Sequence, residues 1–542
     1  APQVAVYCCF ASWIIILEAL RRTGGIAVFL VAATISIYPV VAHLAPGFLE
    51  GVQNDWSFTA TYHILGTESV VGIPLDAFGN LVIGFLLFGV ALQYTGGGAF
   101  FLNLAFALLG RYRGGPAKVA IFGSGLMGSM SGSVITNVMT TGVLTIPAMK
   151  KVGFSASYAA GVEACASTGG TLLPPIMGAT AFVMAVFLEV PYSEVIIAAI
   201  IPSILYYLGL FLQIDAYAAR YQLQGLSPED LPKIRDVLRE GWYFILAFVL
   251  LVVMLIGMER EAQAPFYATG ALILINQLVK IHRWKKENAL EFLISLGKLF
   301  AEIAALLAGV GLIIGALSLT GKVGTIAFDL VQIAGDSTIL LLIMGAVTSF
   351  ILGIGMTVTA AYLFLAITLA PALTSGGLDP MAVHLFMLYW AMISFITPPV
   401  AIGAFAAATV AQAPPMKTGL QAMRLGTVIY FIPFFFVLNP ALIGKGPVGE
   451  IMLVITTAIV GIVLIAASLQ GYLIGVGSLP RLSGPTLIAR ILLFIGGFAF
   501  ALPGGDIIGY GDTELILFAL TLSVLGIGLA AYICNRAIVI PA

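Results

Sequence analysis

The stretch KVAIFGSGLMGSMSGSVITNVMTTGVLTIPAMKK, residues 118–151, carries charge only at its two ends. Lys118 and Lys150 enclose residues 119–149, which makes 31 residues without a charge. A helix needs roughly 20 apolar residues to cross a bilayer, so this stretch is long for one crossing and short for two. Basic residues at both ends favour the same side, the cytoplasm. We predict a re-entrant hairpin; the alternative is one long tilted helix with a serine-rich packing face.

The middle of this stretch is small and polar, where a lipid-facing helix should be most apolar. It reads SMSGS over residues 129–133. Irregular backbone is tolerated at membrane depth only when it is buried in protein or lines a cavity. The following segment, residues 155–187, is long enough to span but contains CASTGGTLLPP at residues 165–175. Because proline removes a backbone donor, we predict a broken span, a feature of ion and substrate sites in transporters.

The composition predicts an all-α polytopic membrane protein. Of 542 residues, 60% are hydrophobic and 9% are charged, whereas a soluble domain carries about 25% charged residues. The mean hydropathy is +1.08. The net charge of −1 does not suggest nucleic acid as a partner. No catalytic triad, nucleotide-binding loop or zinc pattern is present, so we expect no enzyme and no cofactor apart from a coupling ion.

Hydropathy and the Lys/Arg content of short loops predict the topology. Basic residues place several span ends on the cytoplasmic side, among them those at Arg220, Arg424 and Arg490. A polar linker is expected at residues 220–240. The predicted spans are 3–20, 25–46, 76–95, 155–187 (broken), 192–217, 241–258, 264–281, 298–320, 380–411 (broken), 420–443, 450–476, 487–503 and 515–534.

A second hairpin, residues 337–374, is predicted to enter from the outer side. Its tip glycine, Gly355, follows Gly132 of the first hairpin by 223 residues. Two further pairs of prolines are each separated by 224 residues, namely Pro147 with Pro371 and Pro174 with Pro398. We interpret this as an inverted-topology repeat, in which a midplane site opens to alternate sides. A channel would instead need a continuous polar pore or a filter sequence, and neither is evident.

The candidate ion and substrate site consists of the two tips and the two breaks. Hydroxyl, amide and backbone oxygens are hard donors that suit Na⁺, and half-helix N-termini favour a carboxylate on the substrate. For each single Ser or Thr, the alternative is a hydroxyl bonded back to its own helix. The candidates are Ser129, Ser131, Gly132, Ser133, Asn137, Ser167, Thr168, Gly169, Thr171, Gly355, Met356, Thr357, Thr359, Thr397 and Pro398.

Glu163 lies inside the first broken span, about two helical turns before Gly169. Ionisable residues within a membrane span are candidates for function. Glu163 is therefore a candidate proton site, or a partner of a tip residue. The alternative is a structural carboxylate near the membrane interface.

Six segments resemble one family in order and spacing. They are GRYRGGPAK, SGSVITNVMTTGVLTIPAMKKVG, EACASTGGTLLPPIMGATAF, GIGMTVTAAY, DPMAVHLF and ISFITPPVAIGAFAAA. Together they resemble the fused permease, small plus large membrane domain, of tripartite ATP-independent periplasmic (TRAP) transporters, and its TAXI-associated branch in particular. The resemblance covers roughly residues 60–445. It places the ion site at residues 131–133, 137, 167–171, 355–359 and 397–398.

The resemblance implies a domain order and an elevator-type movement. We expect a small, truncated N-terminal membrane domain at residues 1–75 and a large transport domain at residues 76–445. The latter contains repeat 1 (76–217), a linker with helices (218–297) and repeat 2 (298–443). Residues 446–542 would be a C-terminal transmembrane extension.

The resemblance also implies a function. The expected activity is Na⁺-driven uptake of an organic acid, a dicarboxylate or glutamate-like compound, across the inner membrane of a bacterium or archaeon. A periplasmic substrate-binding protein would deliver the substrate. The alternatives are a stand-alone elevator-type carboxylate symporter coupled to Na⁺ or H⁺, and, from another class, a membrane enzyme or assembly scaffold.

Overall fold

The computed structural model describes residues 2–47, 50–279, 283–335, 337–354, 356–480, 484–505 and 507–539. Within these ranges, ten helical segments are long and apolar enough to cross a membrane. The prediction of an all-α polytopic membrane protein is confirmed. The predicted tip residue Gly355 lies outside the described residues.

The N-terminal part consists of six helices with short connections. Asp55 accepts a hydrogen bond from the Phe58 amide and so caps the third of them. A π-helical turn, Phe78–Val82, joins the fourth to the fifth. The six are α1 (Gln3–Thr23), α2 (Gly25–Val41), α3 (Trp56–Leu65), α4 (Ile73–Ala77), α5 (Ile83–Tyr94) and α6 (Gly97–Leu109).

The stretch 118–151 forms a helix–turn–helix, as predicted, and the single long helix is excluded. It comprises α7 (Gly115–Ser131) and α8 (Val134–Lys151), which pack on each other. Gly132 has φ of 62°, a left-handed conformation that glycine adopts without strain. The predicted broken span follows as α9 (Ala156–Gly170) and α10 (Ala179–Phe187).

The next five helices correct three predicted boundaries. They are α11 (Tyr192–Arg220), α12 (Ile234–Val252), α13 (Ala264–Leu278), α14 (Lys286–Leu319) and α15 (Lys322–Ala334). Helix α12 begins inside the predicted linker 220–240 but is kinked at Gly241, where the span was predicted to begin, and α13 ends before residue 281. The predicted span 298–320 is the second part of the 34-residue helix α14, because no proline interrupts the chain there.

The second hairpin is also present, but its return arm is two helices rather than one. It contains α16 (Thr338–Gly353), α17 (Val358–Thr368) and α18 (Ala370–Ser375). The second broken span is α19 (Pro380–Ile393) and α20 (Ile402–Ala411). Hairpin followed by broken helix therefore occurs twice in the chain. The Pro174–Pro175 and Pro398–Pro399 peptide bonds are both cis.

The C-terminal part confirms one predicted span and shortens another. The predicted span 420–443 corresponds to one candidate membrane span, Pro415–Leu438, in which α21 (Pro415–Leu425) and α22 (Val428–Leu438) are separated by a break at Gly426. The predicted span 450–476 ends early as α23 (Val448–Gln470), because Gly471 takes a left-handed conformation. A short antiparallel pair, β1 (Tyr472–Leu473) and β2 (Gly477–Ser478), follows. The last helices are α24 (Gly484–Ala501) and α25 (Asp512–Val539).

The chain divides into two compact units, and the first comprises residues 1–96, 178–196 and 243–392. A chain of buried hydrogen bonds ties its N-terminal helices to α14. The Trp13 indole donates to Ser36 Oγ (3.1 Å), and the His63 ring lies 2.9 Å from the Ser36 carbonyl and 3.2 Å from Ser69 Oγ. Ser69 donates to the Gly311 carbonyl (3.0 Å). The N-terminal helices are thus part of this unit's packed interior.

The second unit comprises residues 97–177, 197–242 and 393–542. In it, α9 packs against α7, α8, α20 and α21. The first half of the first broken span therefore contacts both arms of the first hairpin. It also contacts the second half of the second broken span. Helices α23, α24 and α25 pack in succession. Most of the predicted site residues belong to this unit.

Candidate functional site

Glu163 is the centre of a buried polar cluster between the first hairpin and the first broken span. The side chain is fully buried. Ser124 of α7 and Thr141 of α8 each place a hydroxyl 2.6 Å from Glu163 Oε1. Thr145 of α8 lies 2.5 Å from Oε2, and Ser167 of α9 lies 3.2 Å from Oε1. The expected alternative of a pairing between Glu163 and a tip residue is not what the structure shows, because its hairpin partners lie along the two arms.

The two threonines of this cluster have a second acceptor each. Thr141 Oγ1 lies 2.7 Å from the Asn137 carbonyl, and Thr145 Oγ1 lies 3.1 Å from the Thr141 carbonyl. When Glu163 is ionised, the hydroxyls can donate to it. When it is protonated, the carboxyl can donate to a threonine whose hydroxyl hydrogen turns to its own helix. The cluster can thus hold Glu163 in either protonation state without breaking its hydrogen bonds.

Asn137 links the cluster to the hairpin tip. Its amide nitrogen donates to the Ser124 carbonyl (2.7 Å) and to Ser167 Oγ (3.0 Å), which commits both hydrogens. The side chain is 1% exposed, and its Oδ1 has no hydrogen-bond partner among the residues that the structure describes. Buried polar atoms are nearly always satisfied, so this oxygen is available to a ligand.

Two glycines let α7 and α9 approach closely enough to form the cluster. A Cβ added to Gly170 would lie 2.7 Å from Gly128 Cα and 2.9 Å from the Ser124 carbonyl oxygen. These are backbone atoms, which cannot move aside separately. The glycine pair therefore sets the distance between the helices that carry Ser124 and Glu163.

An ion-pair triad fixes the base of the first hairpin. Asp215 of α11 accepts hydrogen bonds from Arg113 and from Lys118, the latter at 2.6 Å. The Lys118 side chain is only 8% exposed. Its ammonium also lies 4.8 Å from the centre of the Phe211 ring. Lys118, interpreted from the sequence as a topological marker, is thus a structural residue as well.

The first break is supported by two tyrosines. Tyr206 and Tyr207 of α11 donate to the carbonyls of Cys165 and Ala166, each at 2.8 Å, and so tie the last turns of α9 to α11. A Cβ on Gly169 would meet the Tyr206 ring at 2.4 Å. Thr168 and Thr171 donate to carbonyls of their own segment, Ala164 and Thr168. The alternative of a back-bonded hydroxyl therefore describes these two threonines.

The first tip is partly exposed, as a site that admits solute requires. Ser131, Gly132 and Ser133 are half-buried. The Ser133 hydroxyl accepts from the Thr136 amide (3.4 Å) and caps α8. Ser129 is buried and donates to the Leu126 carbonyl (2.8 Å), so its hydroxyl faces its own helix.

The second unit also brings the second break to the first hairpin. A Cβ on Gly403, at the start of α20, would lie 2.9 Å from the Val134 side chain at the start of α8. Thr397 donates to the Ile393 carbonyl (2.7 Å) and lies 2.6 Å from the Tyr430 hydroxyl. A Cβ on Gly419 would lie 2.6 Å from Pro398.

The first unit holds Met356, Thr357 and Thr359, the described residues of the predicted second tip. Thr357 accepts from the Ala360 amide (3.3 Å) and caps α17. Thr359 lies 2.9 Å from Thr180 Oγ1 of α10, so the second hairpin packs on the second half of the first broken span. Met356 is half-buried.

Sequence reasoning missed Ser124, Thr141 and Thr145. The last two follow Asn137 at intervals of four, which places all three on one face of α8. Because this face meets Glu163, the periodicity was a usable signal. Ser124 stands alone in a run of small and apolar residues and carried no such signal.

Two successive pairs of re-entrant hairpin and broken helix define the class of protein, a polytopic membrane transporter. Residues 11–451 match the family described as "Tripartite ATP-independent periplasmic transporter, DctM component". The chain belongs to this family. It is therefore a multi-pass inner-membrane permease component, as the sequence predicted.

Three relatives illustrate the similarity. The C4-dicarboxylate TRAP transporter large permease protein DctM of Pseudomonas aeruginosa is 27% identical over 338 residues, which cover 62% of this chain and 78% of the relative. The isethionate TRAP transporter permease protein DctMQ of Oleidesulfovibrio alaskensis is 25% identical over a region that covers 76% of this chain and 65% of the relative. The sialic acid TRAP transporter permease protein SiaT of Haemophilus influenzae is 25% identical over a region that covers 69% of this chain and 59% of the relative. All three are permeases rather than enzymes, which agrees with the sequence prediction.

Proposed function

We propose that this chain is the permease of a TRAP transporter that takes up an organic acid, driven by a Na⁺ gradient and supplied by a periplasmic substrate-binding protein. Membership of the DctM family supports the transporter class. Three relatives are named for carboxylates, namely C4-dicarboxylate, 2,3-diketo-L-gulonate and sialic acid, and one for isethionate, a sulfonate; all four are organic anions. A dicarboxylate or glutamate-like compound is the proposed substrate class.

The observation that carries the proposed Na⁺ site is the unpartnered Oδ1 of Asn137. It is buried beside the tip, and its amide nitrogen is fully used. Na⁺ prefers such hard oxygen ligands. At the adjoining tip, Ser131, Gly132 and Ser133 offer further hydroxyl and carbonyl oxygens as ligands in the proposed Na⁺ site.

The finer points rest on the resemblance of the sequence motifs. We propose the TAXI-associated branch and an elevator-type movement on that basis. Glu163 is the proposed proton site if the coupling ion is H⁺. Its supporting observation is the set of four hydroxyls that suits both protonation states.

The test of the transport function is uptake of labelled succinate or glutamate into proteoliposomes. It is run with and without the substrate-binding protein encoded nearest to the gene, under an inward Na⁺ or H⁺ gradient. Uptake that needs both the binding protein and Na⁺ supports the proposal. Uptake without any binding protein would refute the tripartite assignment and support the alternative of a stand-alone symporter. If uptake is driven by an H⁺ gradient and Glu163→Gln abolishes it, the coupling ion is H⁺ and Glu163 is the coupling site.

A binding measurement tests the ion site without a substrate. We expect NaCl, compared with choline chloride at equal ionic strength, to raise the melting temperature of the purified protein. Asn137→Ala should abolish this difference. Asn276→Ala is the matched control, because Asn276 is a buried asparagine of α13 whose side-chain oxygen also lacks a partner in the structure. An undiminished Na⁺ effect in Asn137→Ala would refute the proposed site.

A further inference from the structure

Three arginines converge on the C-terminal end of α23. Arg490 of α24 donates to the Ser468 carbonyl (2.6 Å) and to the Leu469 carbonyl (2.8 Å). Arg424 of α21 also donates to the Leu469 carbonyl, and Arg220 of α11 donates to the Gln470 carbonyl (2.6 Å). Helices far apart in sequence thus bring three positive charges to one helix end.

The helix end does not neutralise this charge. A helix C-terminus carries the equivalent of roughly half a negative charge. None of the ion pairs that the structure describes includes Arg220, Arg424 or Arg490. Each guanidinium has five N–H donors, and the described side-chain bonds to α23 use at most two of them. The cluster therefore retains positive charge and free donors for an anion.

An apolar groove adjoins the cluster at Arg490. It encloses about 280 Å³ and is lined by Ser468, Leu469, Leu487, Arg490, Ile491 and Phe494. Leu487 and Ile491 are 48% and 47% exposed on the outside of α24, a helix apolar enough to span. A site with guanidinium donors at one end and apolar walls along a membrane helix fits a headgroup with an attached acyl chain.

We infer that this is a binding site for an anionic phospholipid. Its phosphate would lie on the guanidinium groups of Arg490 and Arg424, and an acyl chain would occupy the groove. Basic pockets between membrane helices on the cytoplasmic side bind lipid headgroups in this way. The sequence-based topology places the span ends at Arg220, Arg424 and Arg490 on that side. The site joins α23 and α24 to α11 and α21, and it does not depend on the transported substrate.

The test is lipid binding to the purified protein in detergent. Phosphatidylglycerol, phosphatidylcholine and glycerol 3-phosphate are titrated separately, and thermal unfolding is followed. We expect phosphatidylglycerol to stabilise the protein and the other two to have little effect. Equal stabilisation by phosphatidylcholine would overturn the proposal. Equal stabilisation by glycerol 3-phosphate would reduce the site to a simple anion site and overturn the lipid assignment.

Three variants assign the binding to this place. Arg490→Gln retains a donor for the α23 carbonyls but removes the charge, and should weaken phosphatidylglycerol binding by about fivefold. Arg235→Gln, at an exposed position of α12, should leave it unchanged. Ile491→Trp fills the groove without altering charge and should also weaken binding, which keeps the test decisive if Arg490→Gln does not fold. Unchanged affinity in Ile491→Trp, or in a folded Arg490→Gln, would refute the proposal.

Discussion

At the residue scale, the most informative group is the Glu163 carboxylate. Burying a carboxylate is costly unless its oxygens are hydrogen-bonded, and here four hydroxyls from three helices provide the bonds. The carboxylate consequently joins α7, α8 and α9 into one assembly. Removing it should affect stability as well as transport.

We expect Glu163→Ala to lower the free energy of unfolding by about 3 kcal/mol, because it leaves a cavity and removes the acceptor that four buried hydroxyls share. Glu163→Gln should cost about 1 kcal/mol, since the amide can still accept and donate hydrogen bonds. Thermal unfolding in detergent measures both. Glu291→Ala, at an exposed position of α14, is the control and should have little effect. Equal losses in the Ala and Gln variants would contradict this account of the cluster.

A second residue-scale expectation concerns the triad at the base of the hairpin. Asp215→Asn would leave the buried Lys118 ammonium without its carboxylate, and should lower the free energy of unfolding by about 3 kcal/mol. Asp230→Asn is the matched control, because Asp230 pairs with Lys151 at the surface, where both side chains are exposed. Melting temperatures of the two variants provide the comparison. A similar shift in both would show that burial of Lys118 does not matter.

At the element scale, the crossing of α7 and α9 depends on two glycines. Their Cα atoms approach so closely that neither position has room for a side chain. Small residues permit such approaches between membrane helices. The same contact positions Ser124 for Glu163, so helix packing and the polar cluster depend on each other.

We therefore expect Gly170→Ala to force α7 and α9 apart, with a large fall in melting temperature and loss of uptake. Gly270→Ala is the control, because a Cβ on Gly270 of α13 would meet nothing within 4 Å. There the substitution should be neutral or stabilising by up to about 1 kcal/mol, since alanine favours helix over glycine. Normal stability and uptake in Gly170→Ala would exclude a tight crossing.

At the scale of the whole molecule, the question is how the two hairpins face the membrane. The sequence-based topology places the mouth of the first hairpin, at Lys151, in the cytoplasm. It places the mouth of the second, at Ser375, on the outer side. Both positions are exposed in the structure. An inverted repeat requires this opposition.

Cysteine labelling tests the opposition directly. In a background with the exposed Cys8 replaced by serine, a membrane-impermeant maleimide should label Ser375→Cys in intact cells. Lys151→Cys should be labelled only after permeabilisation. Labelling of both positions from the same side would show that the repeats are not inverted.

The sequence by itself determined the membrane class, the two hairpins, the two broken spans and their repetition. These features depend on local properties: apolar length, the position of charges, and backbone groups that proline and glycine leave free. Gly132 at the tip and Pro174 in the break could be identified for this reason. Helix ends were less certain, because Gly471 stops α23 while Gly309 does not stop α14.

Only the tertiary structure decided which polar side chains meet. Ser124 and Glu163 are 39 residues apart, and Arg220, Arg424 and Arg490 lie on three different helices. Their proximity depends on how α7 packs on α9 and on how α11, α21 and α24 pack around the end of α23, and packing is a property of the whole surface of each helix. The four-residue spacing of Asn137, Thr141 and Thr145 indicates that they share one face of α8. Only the packed structure shows that this face meets Glu163.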